Sequence, residues 1–126
     1  MLKIDILKDD FTVCKLKELP KRQTLQKFCF LSVTDSEISL VCPVCLVPEN
    51  TESRVDNWKG FRICGTLDFS LIGILAHISG LLAKEKISVF AVSTYDTDYI
   101  FTKSESFSAA VKTLSGNGYT INNTEI

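Results

Sequence analysis

One segment limits the folds open to this chain more than any other. In "FSLIGILAHISGLLAKEK", Leu71, Ile74, Leu75, Ile78, Leu81 and Leu82 recur at a spacing of about 3.6 residues. That spacing puts them in one apolar stripe, so the segment is a helix with one buried face. Lys84 and Lys86 fall at its end, where cations suit the helix dipole. The flanking runs have strand character. "WKGFRICG" precedes the helix, and "ISVFAVST", rich in β-branched and aromatic residues, follows it. "YDTD" then interrupts, "YIFTK" resumes as a strand, and "SESFSAAVKTLSGNG" reads as a second helix. Ser104 or Ser106 would cap that helix, and Gly116 and Gly118 would close it. "YTIN" makes a last short strand. The order β-α-β-β-α-β is the ferredoxin-like split motif, in which both helices cover one face of an antiparallel sheet.

The first half has no such helix. "LKIDIL" and "FTVCKL" are strand-like runs separated by Lys8, Asp9 and Asp10, the chemistry of a hairpin turn. Pro20 and "KRQTLQ" break the pattern. "KFCFLSV" and "EISLVC" form another pair around Thr34, Asp35 and Ser36. Pro43, Pro48 and "ENTESRVDN" then lead into the second half. The expected class is α+β, with two modules, 1–56 mostly β and 57–126 βαββαβ.

Composition narrows the function. The 126 residues are 45% hydrophobic and carry a formal charge of −1 with no basic block, which argues against nucleic-acid binding. The N-terminal "MLKIDILKDD" is too charged for a signal-peptide core, and "SLIGILAHISGLLA" is short for a membrane span. The chain therefore reads as soluble and cytoplasmic, with no membrane partner. In that setting an odd count of five cysteines argues against a disulfide framework.

"VCPVCLVP" holds a CxxC pair, Cys42 and Cys45. Structural zinc needs four ligands, yet the remaining cysteines are scattered singly and His77 is the only histidine. A thioredoxin-type pair opens a helix, whereas this one follows a strand and precedes "LVPENTES". The pair is expected to be structural, with Cys42 buried, Pro43 stopping the strand, and neither metal nor cofactor required.

Three further features can carry chemistry. His77 sits roughly 100° from the middle of the apolar stripe, a flank position on the helix. "STYDTDY" brings Asp96 and Asp98 together, for acid–base work, for a hard cation, or as a turn between two strands. At strand spacing both would face one side and repel unless a cation joined them. "CGTLDFSLIG" leads into the long helix: Gly65 and Gly73 give access to its free N–H groups, which attract anions, while Asp68 or Ser70 would serve as an ordinary cap.

Residues 58–103 resemble ACT-domain proteins, including small bacterial tandem-ACT proteins and the modules of the cytosolic arginine sensors of animals. The resemblance runs through Trp58-Lys59, Arg62-Ile63, Gly73-Ile74, Ile87-Ser88 and Ser93-Thr94-Tyr95 followed by Asp98. It implies a regulatory fold that is not an enzyme, binds small ligands such as amino acids between ACT modules, and has a reduced ACT-like first module. On this sequence the implied pocket is Leu67, Asp68, Phe69, Ser70, Leu71 and Gly73 facing Thr94, Tyr95, Asp96 and Asp98. A helix start would take an α-carboxylate and Asp98 an α-ammonium group. The arginine sensors carry an acidic residue where this chain has Leu71; a guanidinium wants a carboxylate, so a neutral or apolar amino acid is expected instead. A homodimer acting on a partner enzyme or protein is implied. The competing readings are an assembly module that pairs β edges without a ligand, and an enzyme. No nucleophile–base pair, phosphate loop or metal constellation supports the latter.

Overall fold

The computed structural model describes residues 2–64, 73–122 and 124–126. In chain order its strands and helices are β1 (Lys3–Ile6), β2 (Phe11–Leu16), β3 (Phe30–Val33), β4 (Ile38–Pro43), β5 (Thr51–Ile63), α1 (Ile74–Lys84), β6 (Val89–Ser93), β7 (Asp98–Lys103), α2 (Ser104–Gly116) and β8 (Thr120–Ile121). Single 3-10 turns lie at Arg22–Thr24 and Val44–Leu46. The class is α+β, with a mixed sheet and two helices. No helix among the described residues is long and apolar enough to cross a membrane.

The residues form two compact units, Asp9–Trp58 and a second made of Met1–Lys8 with Lys59–Ile126. Asp9–Trp58 runs strand, 3-10 turn, hairpin, 3-10 turn, strand. Its strands lie in the order β3-β4-β2-β5, all antiparallel. Alternation along β2 and β4 gathers Cys14, Leu16, Leu40 and Cys42 on one face as a buried core, with Cys29, Ile38 and Val47 packed against it. Pro43 is the last residue of β4, paired with Phe11, and the chain turns at once, the Val44 amide donating to the Asp10 carbonyl at 2.9 Å.

The helical unit has a core of Ile4, Phe61, Ile63, Ile78, Leu82, Ile87, Ile100, Phe107, Ala110, Leu114 and Tyr119. The described part of the predicted stripe faces it: Ile78 and Leu82 are fully buried, and Ile74, Leu75 and Leu81 pack alongside. Both helices end in the same motif. After α1, Lys86 adopts a left-handed φ of 60°, its amide bonds Ala83, and the Ile87 amide bonds Leu82. After α2, Gly118 has φ 95°, its amide bonds Ser115, and Tyr119 bonds Leu114. These paired bonds satisfy carbonyls that the helix leaves open.

Three expectations change. The sheet is not purely antiparallel, because β1 lies between β5 and β8 and runs parallel to β8. β1 and β2 do not form a hairpin; β1 pairs with β5 and β8, and β2 with β4 and β5. The reason lies in burial, since Ile4 belongs to the core under the helices. At α2, Lys103 occupies the cap position with no side-chain bond, so neither Ser104 nor Ser106 caps the helix.

Candidate functional site

Of the predicted pocket residues, Leu67, Asp68, Phe69, Ser70 and Leu71 lie outside the described residues. Gly73 is described, at the N-cap position of α1. Its φ of 82° is a conformation that side chains resist, which explains glycine there. Its carbonyl takes the His77 amide at 2.8 Å, the first bond of the helix.

The other predicted residues occupy the β6–β7 turn. The Thr94 amide donates to the Thr97 carbonyl at 2.8 Å, and the Thr94 hydroxyl donates to the same oxygen at 3.0 Å. Tyr95 is 84% exposed at the tip, and Asp96 is exposed beside it. Asp96 therefore sits in a bend while Asp98 opens β7, so the two aspartates do not share a strand face as strict alternation would have it. Asp98 accepts a hydrogen bond from the Ser93 hydroxyl, its cross-strand partner, at 2.5 Å.

Thr97, not among the predicted residues, fixes this turn in place. It is buried, and its hydroxyl donates to the Ile63 carbonyl at 2.8 Å. Ile63 is the last residue of β5, two residues before Gly65. Thr94 to Asp98 thus stand beside the end of β5. Nothing in "YDTD" marks Thr97, because its acceptor is distant in sequence.

A second polar group missed in the sequence lies on the neighbouring strands. Asp5 is cross-strand partner to Arg62, whose Nε donates to Asp5 Oδ2 at 3.2 Å and whose Nη1 donates to the Tyr99 hydroxyl at 3.4 Å. Asn122 donates to Asp5 Oδ1 at 2.5 Å and approaches the Cys64 sulfur at 3.7 Å. Burial works to raise the Asp5 pKa, but the bonds from Asn122 and Arg62, the guanidinium charge and the Cys64 thiol together hold it below the usual carboxylate range. Arg62 is pushed upward by its Tyr99 bond, against burial, with Asp5 adding to the rise. A signal was present: each is a lone charge between apolar neighbours, Ile4-Asp5-Ile6 and Phe61-Arg62-Ile63, as expected for the strand face turned away from a helical core.

His77 is exposed on α1, and its Nδ1 lies 2.6 Å from the Tyr119 hydroxyl, tying the helix to the segment after α2. In the CxxC, Cys42 is fully buried as expected, Cys45 is exposed, and all five thiols are free. Burial pushes the Cys42 thiol up to about 12. Among the described residues no three His, Cys, Asp or Glu side chains converge as a metal site would require. Two described clefts involve none of the predicted residues. One of about 590 Å³ lies against Ala76, Gly80 and Ile87, and another of about 640 Å³ lies in the Asp9–Trp58 unit.

A small α+β chain with two helices on a mixed sheet is the class that the geometry defines. The sequence model of the ACT domain matches residues 53–116, half of the chain, and the chain belongs to that family. None of the curated proteins matches it. Among solved structures it is similar to protein Atu0741 from Agobacterium tumefaciens, at 23% identity and TM-score 0.84, over 99% of this chain and 96% of that one. The regulatory subunit of aspartate kinase from Thermus thermophilus, in its ligand-free form, gives 10% identity and TM-score 0.64 over 90% and 95%. Aspartate kinase from Clostridium acetobutylicum, described as an allosteric enzyme, gives 18% and 0.64 over 91% of this chain but 33% of the kinase. At these identities the likeness is one of fold.

Proposed function

We propose that the chain is a regulatory protein that binds an amino acid. It is built from two ACT-like modules and acts as a homodimer on a partner enzyme or protein. The family membership and the regulatory-subunit neighbours support the regulatory role. The observation that supports this reading is the Thr97–Ile63 hydrogen bond, which holds the turn Thr94 to Asp98 beside the end of β5. In this reading the start of the long helix offers N–H groups to the α-carboxylate. Asp98 has carboxylate lone pairs beyond the one that Ser93 engages, and accepts from the α-ammonium group. Thr94 and Tyr95 add backbone and ring contacts, and Leu71 directs the choice toward a neutral or apolar side chain rather than arginine.

Thermal unfolding scanned across the twenty amino acids tests this. A ligand at a hundred times its Kd adds about 2.7 kcal/mol to the native state, a shift well above measurement error. One neutral or apolar amino acid should raise the melting point, and Asp98→Ala should abolish the rise. Silence from all twenty at millimolar concentration, with Asp98→Ala equally silent, would remove the reading. One observation favours the assembly alternative. β3 is an edge strand with Leu31 38% and Val33 61% exposed, the kind of apolar edge on which strands pair. Under that reading Val33→Lys would dissociate the oligomer, with no response to any amino acid.

A further inference from the structure

The cleft in the Asp9–Trp58 unit has two walls, one from Glu18 to Gln26 and one from Cys45 to Asn50. Asn50 Nδ2 donates to Glu18 Oε1 at 3.0 Å and joins them. The Cys45 thiol is exposed on the second wall, on the 3-10 turn Val44–Leu46. Cys29 backs the first wall. Its amide donates to the Gln26 carbonyl at 3.2 Å, and its thiol faces the Thr24 carbonyl at 4.0 Å, both carbonyls belonging to residues that line the cleft. Cys29 is half-buried, so it can be reached, while Cys42 is fully buried.

The strand pairing explains why these thiols gather. Phe30 pairs with Val41 at the end of that ladder, and Cys29, just before it, packs against the buried cluster that holds Cys42, three residues before Cys45. Burial raises the Cys29 pKa, the Gln26 backbone opposes it, and Cys45 adds to the rise.

We propose that Cys45 and Cys29 form a reversible thiol-modification site, in which Cys45 takes up a low-molecular-weight disulfide and Cys29 resolves the adduct. In the first step the Cys45 thiolate attacks one sulfur of the small disulfide. A Cys45–S–S–R bond forms, the S–S bond of the reagent breaks, and one RS⁻ leaves. In the second, the Cys29 thiolate attacks the Cys45 sulfur and expels the second RS⁻. Two protein thiols are oxidised to one disulfide, one small disulfide is reduced to two thiols, and the two protons lost by the cysteines go to the leaving thiolates. The new bond joins the two walls of the cleft. Because Cys29 is held protonated beyond the usual thiol range, its step is the slow one at neutral pH and accelerates as pH rises. This site is independent of the amino-acid reading.

The test incubates the reduced full-length chain, without denaturant, with oxidised glutathione at neutral and at alkaline pH, and maps the cysteine peptides by mass spectrometry. The expected result is a mixed disulfide on Cys45 at neutral pH that converts to a Cys29–Cys45 crosslink as pH rises. Cys29→Ser should trap the mixed disulfide at every pH, and Cys45→Ser should slow modification of Cys29 by about tenfold or more, since the accessible entry thiol is gone. A Cys42–Cys45 crosslink, an inert Cys45, or an unchanged Cys29 rate in Cys45→Ser would each overturn the proposal. The wild-type map decides the matter even where a variant folds poorly.

Discussion

Two hairpin turns in this molecule are built alike and held differently. Between β3 and β4 the Thr34 amide donates to the Glu37 carbonyl at 3.0 Å, and the Ser36 and Glu37 amides donate back to the Thr34 hydroxyl. Between β6 and β7 the Thr94 amide donates to Thr97, whose amide returns to the Thr94 hydroxyl at 3.4 Å. The fourth residue separates them. Glu37 is exposed, whereas Thr97 is buried and bonded to Ile63. The same local chemistry thus makes a free surface turn in one unit and an anchored one in the other. The units differ in the same way: a hairpin is flanked by 3-10 turns in one and by helices in the other.

The largest expected effect tests the connections. α1 buries Ile78 and Leu82, while the turn Arg22–Thr24 buries nothing. Leu82→Ala should cost about 2–5 kcal/mol in urea unfolding, as large-to-small changes in packed cores do. Gln23→Ala should stay within about 0.5 kcal/mol. Equal effects would mean that the short turn supports its unit as the helix does.

Next comes the turn itself. Thr97→Val keeps the shape but leaves the Ile63 carbonyl without that donor, a loss of about 1–3 kcal/mol. Glu37→Ala removes an exposed side chain and should be nearly silent. If the anchoring also serves the site, Thr97→Val should weaken the amino-acid response while Glu37→Ala leaves it intact.

The Asp5 pair adds a pH signature confined to the helical unit. The folded pKa of Asp5 is depressed, so the unfolded state binds a proton at higher pH than the folded one. The stability it confers is therefore present above the unfolded carboxylate pKa, about 3.9, and is lost as pH falls through the folded value. Wild type should exceed Asp5→Asn in stability near neutrality, and the gap should narrow on acidification below about pH 4. A gap that does not vary with pH would make Asp5 a packing residue only.

How much of this was legible depended on whether the cause was local. Periodicity exposed the stripe Ile74 to Leu82, and alternation exposed the strands, because burial acts there on neighbouring residues. The placement of β1 was not legible. "LKIDIL" fits a strand equally well beside β2 or beside β5, and only the long-range burial of Ile4 decides. The candidate loops were marked by their residue chemistry, and only their pairing into one pocket came from the family resemblance. The Thr97 anchor and the Asp5–Arg62–Asn122 group rest on contacts between residues far apart in sequence, for which one chain carries no pattern.

The smallest effect concerns the two helix ends, where the same motif is filled by different residues. Gly118 takes φ 95° freely, but Lys86 holds φ 60° with a Cβ attached, a conformation costing roughly 1 kcal/mol for an L-residue. Its long side chain is exposed, so replacing it removes little packing. Lys86→Gly should therefore stabilise by about 0.5–1 kcal/mol, offset in part by the added freedom of glycine in the unfolded chain. The positive charge near the helix terminus is also lost, which subtracts a few tenths at low ionic strength. The gain should accordingly grow with salt, while Gly118→Ala should destabilise at every ionic strength. A salt-independent loss of stability in Lys86→Gly would mean that the α1 terminus depends on the lysine itself rather than tolerating its strain.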